Sequence, residues 1–346
     1  KQRGYATAMA GKWQLTGKIP NLIHDCGFDS YRMWAYAHNL PEGVEHSGAF
    51  EGGGRTSRYW HPCLVENGRY LATKPDDYGP DLFADFLLAF AKEQHARQQP
   101  FFLYFTMPLT HGPHVETPDP EHPGKRRPAG YASNVEYLDH LMGRFVRTLD
   151  QSGLNQNTLL IFVGDNGTAG SGKGTVTELG ARVPLIIRGP GLVRPGIVSR
   201  ALVDITDIFA TLADVAKAPI PANHPTDGVS LAPVLQGRGD EHRDWIFSFL
   251  GHGRILRTQR WLLEDPGQGA PRRLFDCGDH RDGQGYVDVA SSRDEHVVAA
   301  RAQLDALLAK LPGPEGHPDL IPENPDAAAR KAERPKAKAK AKAKAK

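Results

Sequence analysis

The chain has 346 residues, 40% of them hydrophobic and 24% charged, which is the composition of a globular protein with one large core or two smaller ones. Its formal charge of +2 comes from the alternating Lys-Ala run Lys336–Lys346. Without the six lysines of that run the body holds 36 basic against 40 acidic residues, and no aromatics interleave with the tail's charge, so no nucleic-acid-binding face is implied. No stretch of apolar residues is long enough for a membrane-spanning helix. Cys26, Cys63 and Cys277 stand too far apart for a disulfide framework or a zinc site.

In chain order, residues 1–19 read as the end of a helix, a glycine turn and a short strand carrying Lys12, Trp13, Gln14 and Leu15. Residues 22–75 read as a long irregular stretch rich in Gly, His and aromatics, of the kind that builds a binding surface. Leu82, Phe83, Phe86, Leu87 and Phe90 recur at helical spacing between Tyr78 and Gln98, and Gln99-Pro100 stops that helix. Phe101–Phe105 is a continuous apolar run, the pattern of a buried parallel strand, and it leads into a polar loop, Pro108–His114.

A second helical pattern runs from Tyr131 to Gln151, with Val135, Leu138, Leu141, Met142, Phe145 and Leu149 apolar. A second buried strand, Thr158–Val163, ends in Gly164-Asp165-Asn166-Gly167. A third strand over Val183–Ile187 and a helix over Asp204–Ala216 continue the alternation. The pattern predicts an α/β fold whose mostly parallel central sheet is flanked by helices, with ligands beyond the carboxyl ends of the strands. Residues 241–311 differ: short strands (Trp245–Phe249, Ile255–Arg257, Trp261–Leu263) precede a helix from Arg293 to Leu311, which predicts a small antiparallel subdomain. We divide the chain into a main α/β domain (1–240), a C-terminal α+β subdomain (241–312) and a disordered Ala/Pro/Lys-rich tail (313–346).

Four short sites carry candidate chemistry. Asp165-Asn166 sets a carboxylate beside an amide carbonyl, oxygen donors suited to a hard divalent ion such as calcium, or else an Asx turn that merely ends a strand. Lys173, in Gly172-Lys173-Gly174-Thr175, stands between glycines that let an anion approach closely, unless it is simply a solvated loop lysine. The spacing from Gly164 to Lys173 does not match a nucleotide-binding P-loop. His111, just after a buried strand, suits protonation of a leaving group or a hydrogen bond to an anion, and equally a structural loop histidine. Lys12 is a cation beside a large aromatic at a strand end.

Taken together and in order, these segments resemble the sulfatase family, its arylsulfatase-like members in particular, within the alkaline-phosphatase-like superfamily. Gly4–Ala8 with Gly11-Lys12-Trp13 is similar to the family's GY.TA..GKWH segment, and Pro100–Tyr104 with Thr110–Pro113 to its PFFLY strand and PHxP loop. Asn157–Gly167, Gly172–Glu178 and Gly180–Pro184 resemble its NTLVIFTSDNG, GKGT and EGG.RVP segments, and Asp227–Leu231 and Leu274–Asp276 its later landmarks. The resemblance covers about residues 1–310.

It implies that Asp165 and Asn166 bind calcium, that Lys12 and Lys173 hold the oxygens of a sulfate group, and that His111 contacts the ester or leaving-group oxygen. Gln14 stands where the family usually has His; it can donate a hydrogen bond in a substrate site but cannot titrate. The family also carries, upstream of these segments, an Asp pair for the metal and a Cys/Ser-x-Pro-x-Arg motif whose first residue becomes formylglycine, the nucleophile. None of Cys26, Cys63 and Cys277 stands in that context.

The resemblance therefore implies a calcium-dependent sulfuric ester hydrolase, N-terminally truncated and inactive by itself, whose intact parent is periplasmic or secreted. Its substrate is expected to be a sulfate ester, an aryl sulfate or a sulfated glycan, with Trp34, Arg55, Arg58, Trp60 and His61 lining a sugar-sulfate pocket. Two alternatives stay open: a non-catalytic relative that binds a sulfated ligand, and a phosphonate or phosphodiester hydrolase of the same superfamily.

Overall fold

The computed structural model describes residues 1–13, 22–35, 48, 50–51, 55–281 and 283–311. Gln14, the side chain of Arg55 and the Lys-Ala tail lie outside the described residues. Two compact units account for the chain. The first is Lys1–Thr158 with two short later segments, and the second is most of the chain beyond Thr158. The boundary between them falls inside the stretch 1–240 that the sequence reads as one domain.

The first unit begins with strand β1 (Ala6–Gly11), buried along its whole length. The expected helix end followed by a strand over Lys12–Leu15 is thus corrected: the strand comes earlier and Lys12 stands just past its end. Alternating small residues hide this strand from a propensity reading, yet they suit a central position. Ala6, Ala8 and Ala10 face one core, and Met9 faces the other. Helix α1 (Leu22–Asp25) leads to β2 (Ser30–Trp34), which pairs parallel with β1. A two-residue pair β3 (Phe50–Glu51) and β4 (Arg55–Thr56) comes next, then the antiparallel hairpin β5 (Leu64–Glu66) and β6 (Arg69–Tyr70). The hairpin turns on Asn67-Gly68, both at positive φ, the Asn-Gly pair that matches the twist of tight hairpins. The stretch 22–75 is therefore not irregular throughout; it supplies three strands of the main sheet.

Helix α2 (Gly79–Ala96), with Pro80 in its first turn, gives way to β7 (Phe101–Thr106), parallel to β1 on the side away from β2. The five-stranded sheet has the order β6-β5-β2-β1-β7, parallel through β2, β1 and β7 and antiparallel at β5 and β6. Phe83, Leu87 and Phe90 of α2 pack on Ala8, Trp34 and Leu64. After the short pair β8 (Thr117–Pro118) and β9 (Arg126–Arg127), helix α3 (Tyr131–Gln151) has the expected bounds but a rotated face. Val135 is exposed, while Asn134 and Tyr137 are buried. Their polar atoms explain it: Tyr137 Oη donates to both oxygens of Asp81 at 2.8–2.9 Å, and Asn134 Nδ2 donates to the carbonyls of Gly130 and Val115.

In the second unit, β10 (Leu160–Val163) pairs antiparallel with β11 (Leu185–Arg188). The third strand is thus not a parallel continuation. Only the single turn α4 (Glu178–Ala181) lies between β10 and β11, too little for the crossover helix that parallel pairing needs. Helices α5 (Thr206–Val215) and α6 (Ala232–Leu235) come after β11. The C-terminal part is the expected antiparallel sheet, β12 (Trp245–Leu250), β13 (Gly253–Thr258), β14 (Trp261–Asp265), β15 (Arg273–Asp276) and β16 (Val287–Asp288) in sequence order. Helix α7 (Glu295–Leu308), capped by Asp294 accepting from His296 N–H, lays Val297, Leu304 and Leu308 on Leu256, Leu263 and Leu274. The α/β class holds, with a central sheet flanked by helices and a separate antiparallel sheet near the C-terminus.

Candidate functional site

In the first unit two strand ends stand side by side. Gly11, the last residue of β1, is in register with Thr106, the last of β7. Lys12 N–H donates to the Thr106 carbonyl at 2.9 Å, and Thr106 Oγ1 donates back to the Lys12 carbonyl at 2.5 Å. Gly11 has φ 111° and its Cα lies against the Thr106 carbonyl oxygen, which a Cβ would overlap, so only glycine delivers Lys12 to this edge. Lys12 itself is half-buried.

His111 follows β7 on a turn closed by its own N–H donating to the Pro108 carbonyl at 3.0 Å. The imidazole is exposed, while Pro108 and Leu109 beneath it are buried. Tyr59 Oη brackets the turn, donating to the carbonyls of Pro108 and His111. Arg58 donates to the Gly112 carbonyl, and Trp60 Nε1 donates to the Glu116 carbonyl at 2.9 Å. Sequence reasoning placed Arg58 and Trp34 in a sugar pocket, and the structure corrects this. Arg58 is 3% exposed, with its guanidinium carbon 4.7 Å from the Trp34 ring centre, and Trp34 is 2% exposed. Stacking a cation on aromatic faces in the core explains why these residues are where they are. The Trp60 ring carries Arg126 at 3.8 Å. No motif marked Arg58 and Tyr59 as the support of the His111 turn, because the contact spans more than fifty positions of sequence.

In the second unit the loop after β10 carries Asp165, Asn166 and Lys173, all exposed. Its glycines are spatial requirements: a Cβ on Gly167 or on Gly172 would overlap the Leu179 carbonyl oxygen. The backbone closes on itself through Gly167 N–H to Gly180 O at 3.0 Å and Gly172 N–H to Thr168 O at 2.9 Å. Glu178 ties the loop outward, its N–H donating to Glu264 Oε1 at 3.0 Å and its Oε1 accepting from Tyr286 Oη at 2.9 Å. Asp165 Oδ1 accepts from Asn166 N–H at 2.9 Å, an arrangement that orients the carboxylate.

Carboxylate and amide oxygens fit calcium by donor chemistry, but two residues make only part of the six to eight oxygens it takes. Burial pushes the Glu264 carboxyl above its ordinary value.

A cluster the sequence did not single out lies in the β8–β9 loop, where donor atoms of Asp119, Glu121 and His122 lie within 4.8 Å of one another. His122 and the Glu121 N–H hold the Asp119 carboxyl down at about 2. Arg127 already sits on both acids and on Glu136, so the cluster has its counter-charge. Among the described residues no helix is long and apolar enough to cross a membrane, and the three cysteines are free thiols.

The family model described as Sulfatase matches residues 1–218, well over half of the chain. The chain belongs to the sulfatase family. Among curated sulfatases it is 32% identical to the steryl-sulfatase of Mus musculus over 221 residues, covering 58% of this chain and 34% of that protein. It spans between about a third and somewhat over half of the length of the curated relatives it matches. Among solved structures, Ps i-CgsB in complex with k-i-k-neocarrahexaose matches with a TM-score of 0.67 at 22% identity, over 88% of this chain and 72% of the other. The phosphonate monoester hydrolase SpPMH from Silicibacter pomeroyi matches with a TM-score of 0.57 at 18% identity, over 89% and 78%. These structural likenesses show the shared fold. The family match places Lys12, His111, Asp165, Asn166 and Lys173 within the matched region.

Proposed function

We propose that this sulfatase-family chain is the part of a sulfuric ester hydrolase that grips the sulfate group, with a sulfated glycan or an aryl sulfate as substrate. The observation that carries the reading is the pair of neighbouring strand ends that deliver Lys12 and His111 to one edge of the sheet. Ligands of open α/β sheets bind at such an edge. Lys12 offers ammonium donors to sulfate oxygens, and Lys173, between glycines that clear the way, offers the same from its loop. His111 hydrogen-bonds the leaving-group oxygen and, when protonated, supplies its proton. Asp165 and Asn166 are the residues that would hold calcium, whose charge would polarise the sulfate when bound.

No nucleophile is assigned within residues 1–346. Cys26 is exposed but lies outside a formylglycine context, and Cys63 and Cys277 are buried, with burial pushing both thiols up to about 11. The reading therefore expects formylglycine from outside these residues, and no turnover from the 346-residue chain alone. Calorimetric titration of that chain should show weak calcium binding, about millimolar, that is lost in Asp165→Ala.

A second reading, phosphonate or phosphodiester hydrolysis, is favoured by the structural likeness to the phosphonate monoester hydrolase. Rates of the whole gene product on aryl sulfate and aryl phosphonate separate the two. Faster turnover of the sulfate, abolished by chelation and reduced a hundredfold or more by His111→Ala, is expected. Preference for the phosphonate, or an unchanged rate in His111→Ala, would overturn the sulfate reading.

A further inference from the structure

The buried Arg58 guanidinium is a strong acceptor-seeking group with no part in gripping the sulfate, and its position beside His111 has a consequence for that imidazole. Two donors converge on the Gly112 carbonyl. Arg58 Nη2 donates to it, and His111 Nδ1 lies 2.7 Å from the same oxygen. A carbonyl oxygen has two lone pairs and accepts both. At 2.7 Å an unprotonated Nδ1 would set its lone pair against that oxygen, so Nδ1 must carry the hydrogen. The remaining contact agrees. Arg58 Nη2 comes within only 3.4 Å of Nδ1, long for a donation and ordinary for two donors that share one acceptor.

Arg58 is permanently charged, and it is locked from behind. Its guanidinium carbon lies 4.7 Å from the Trp34 ring centre and 5.3 Å from that of Tyr59. Trp34 in turn is fixed by Nε1 donating to the Thr56 hydroxyl at 3.0 Å. Tyr59 Oη holds the turn at Pro108 and His111. The Gly112 carbonyl is thereby fixed where Nδ1–H finds it.

We propose that Arg58 is a positioning residue that sets the tautomer of His111, holding the proton on Nδ1 and leaving Nε2 as the nitrogen that carries the lone pair toward a ligand. The inference rests on the reading of His111 as a ligand-contacting residue. It specifies that reading further: in the neutral state His111 accepts a proton or hydrogen bond at Nε2 and donates none there, and only the imidazolium donates from Nε2.

The test is nitrogen-15 NMR of histidine-labelled 346-residue chain at pH 8.5, with His111 assigned from a His111→Gln spectrum. The wild-type ring should show Nδ1 as the protonated nitrogen and Nε2 as the unprotonated one. Arg58→Leu should shift the pair toward the opposite tautomer, Arg58→Lys should restore much of the wild-type pattern, and Tyr59→Phe should leave the tautomer in place while loosening the turn. A wild-type ring protonated on Nε2 would overturn the proposal, as would a wild-type pattern in Arg58→Leu. Should Arg58→Leu fail to fold, Arg58→Met, an unbranched side chain without donors, takes its place: a shifted tautomer supports the proposal and a wild-type pattern removes it. Because no substrate enters this measurement, failure of the His111→Ala rate comparison would overturn the sulfate reading without touching the tautomer.

Discussion

The His111 turn and the Asp165 loop are held by different physics. The first rests on an apolar core: Trp34, Tyr59, Leu64, Leu87 and Leu109 belong to one buried cluster beneath it. The second has little of its own to bury. Strand β10 is half-buried at best, and α4 contributes no buried residue. Backbone closure over glycines and polar ties to Glu264 and Tyr286 fix it instead. Elsewhere in the second unit the same device recurs at Asp207. Its carboxylate is fully buried, accepts the N–H groups of Asp204 and Val229 at 2.9 and 2.8 Å, and pairs with His242 and Arg243. A chain can therefore hold one functional loop by apolar packing and another by directed polar contacts, and the two should fail under different conditions.

The largest effect should come from the polar hub. Asp207→Asn leaves Arg243, and His242 when charged, with no buried counter-charge, and should cost about 4 kcal/mol in urea unfolding. A loss below about 1 kcal/mol would show that the hub is not what holds this unit. The same residue gives the comparison a pH signature. Burial by itself raises the Asp207 carboxyl, but Arg243, the Val229 and Asp204 N–H groups and His242 outweigh it and hold the value below the ordinary one.

A lowered folded value means that the stability Asp207 contributes is present above its unfolded value, near 4, and is lost as pH falls through the lower folded value. In the first unit Asp81 behaves oppositely: burial raises its carboxyl despite Tyr137 and Arg144, so protonation near pH 4 does not remove stability there. Acidification below pH 4, followed by amide exchange, should loosen residues around 204–243 before those of the main sheet. Asp207→Asn should flatten that dependence. The reverse order of loosening would break the comparison.

Leu87→Ala, in the apolar cluster, should cost about 3 kcal/mol with no change in acid sensitivity. Gly172→Ala must displace the Leu179 carbonyl; a loss of about 2 kcal/mol is expected, together with loss of calcium affinity in calorimetry. Retained affinity would mean that the loop tolerates the change. The smallest effect is Tyr137→Phe, which removes the hydroxyl from Asp81 and should cost about 1 kcal/mol by thermal unfolding.

The loops and strand ends that carry the candidate residues were legible because their signals are local. Gly164–Gly167 and Gly172–Gly174 mark a loop in which Gly167 and Gly172 have contacts only glycine allows, and the apolar run Phe101–Phe105 before a polar turn marks a strand end. Less legible were the elements whose role depends on neighbours. β1 is written in alanines that a propensity reading passes over, β2 lay hidden in a stretch read as loop, and the buried face of α3 turns toward Asn134 and Tyr137 because Asp81 and the Val115 carbonyl wait there. The sequence by itself determined the family, the α/β class, the order of the candidate residues and the antiparallel C-terminal sheet, since motif spacing and hydrophobic period act within a few residues. Only the tertiary structure decided that β10 and β11 pair antiparallel, that Lys12 follows rather than lies in its strand, and that Arg58 leaves the surface to stack on Trp34 and hold the His111 turn. Those outcomes turn on contacts between distant residues, whose energies depend on where the fold brings each partner.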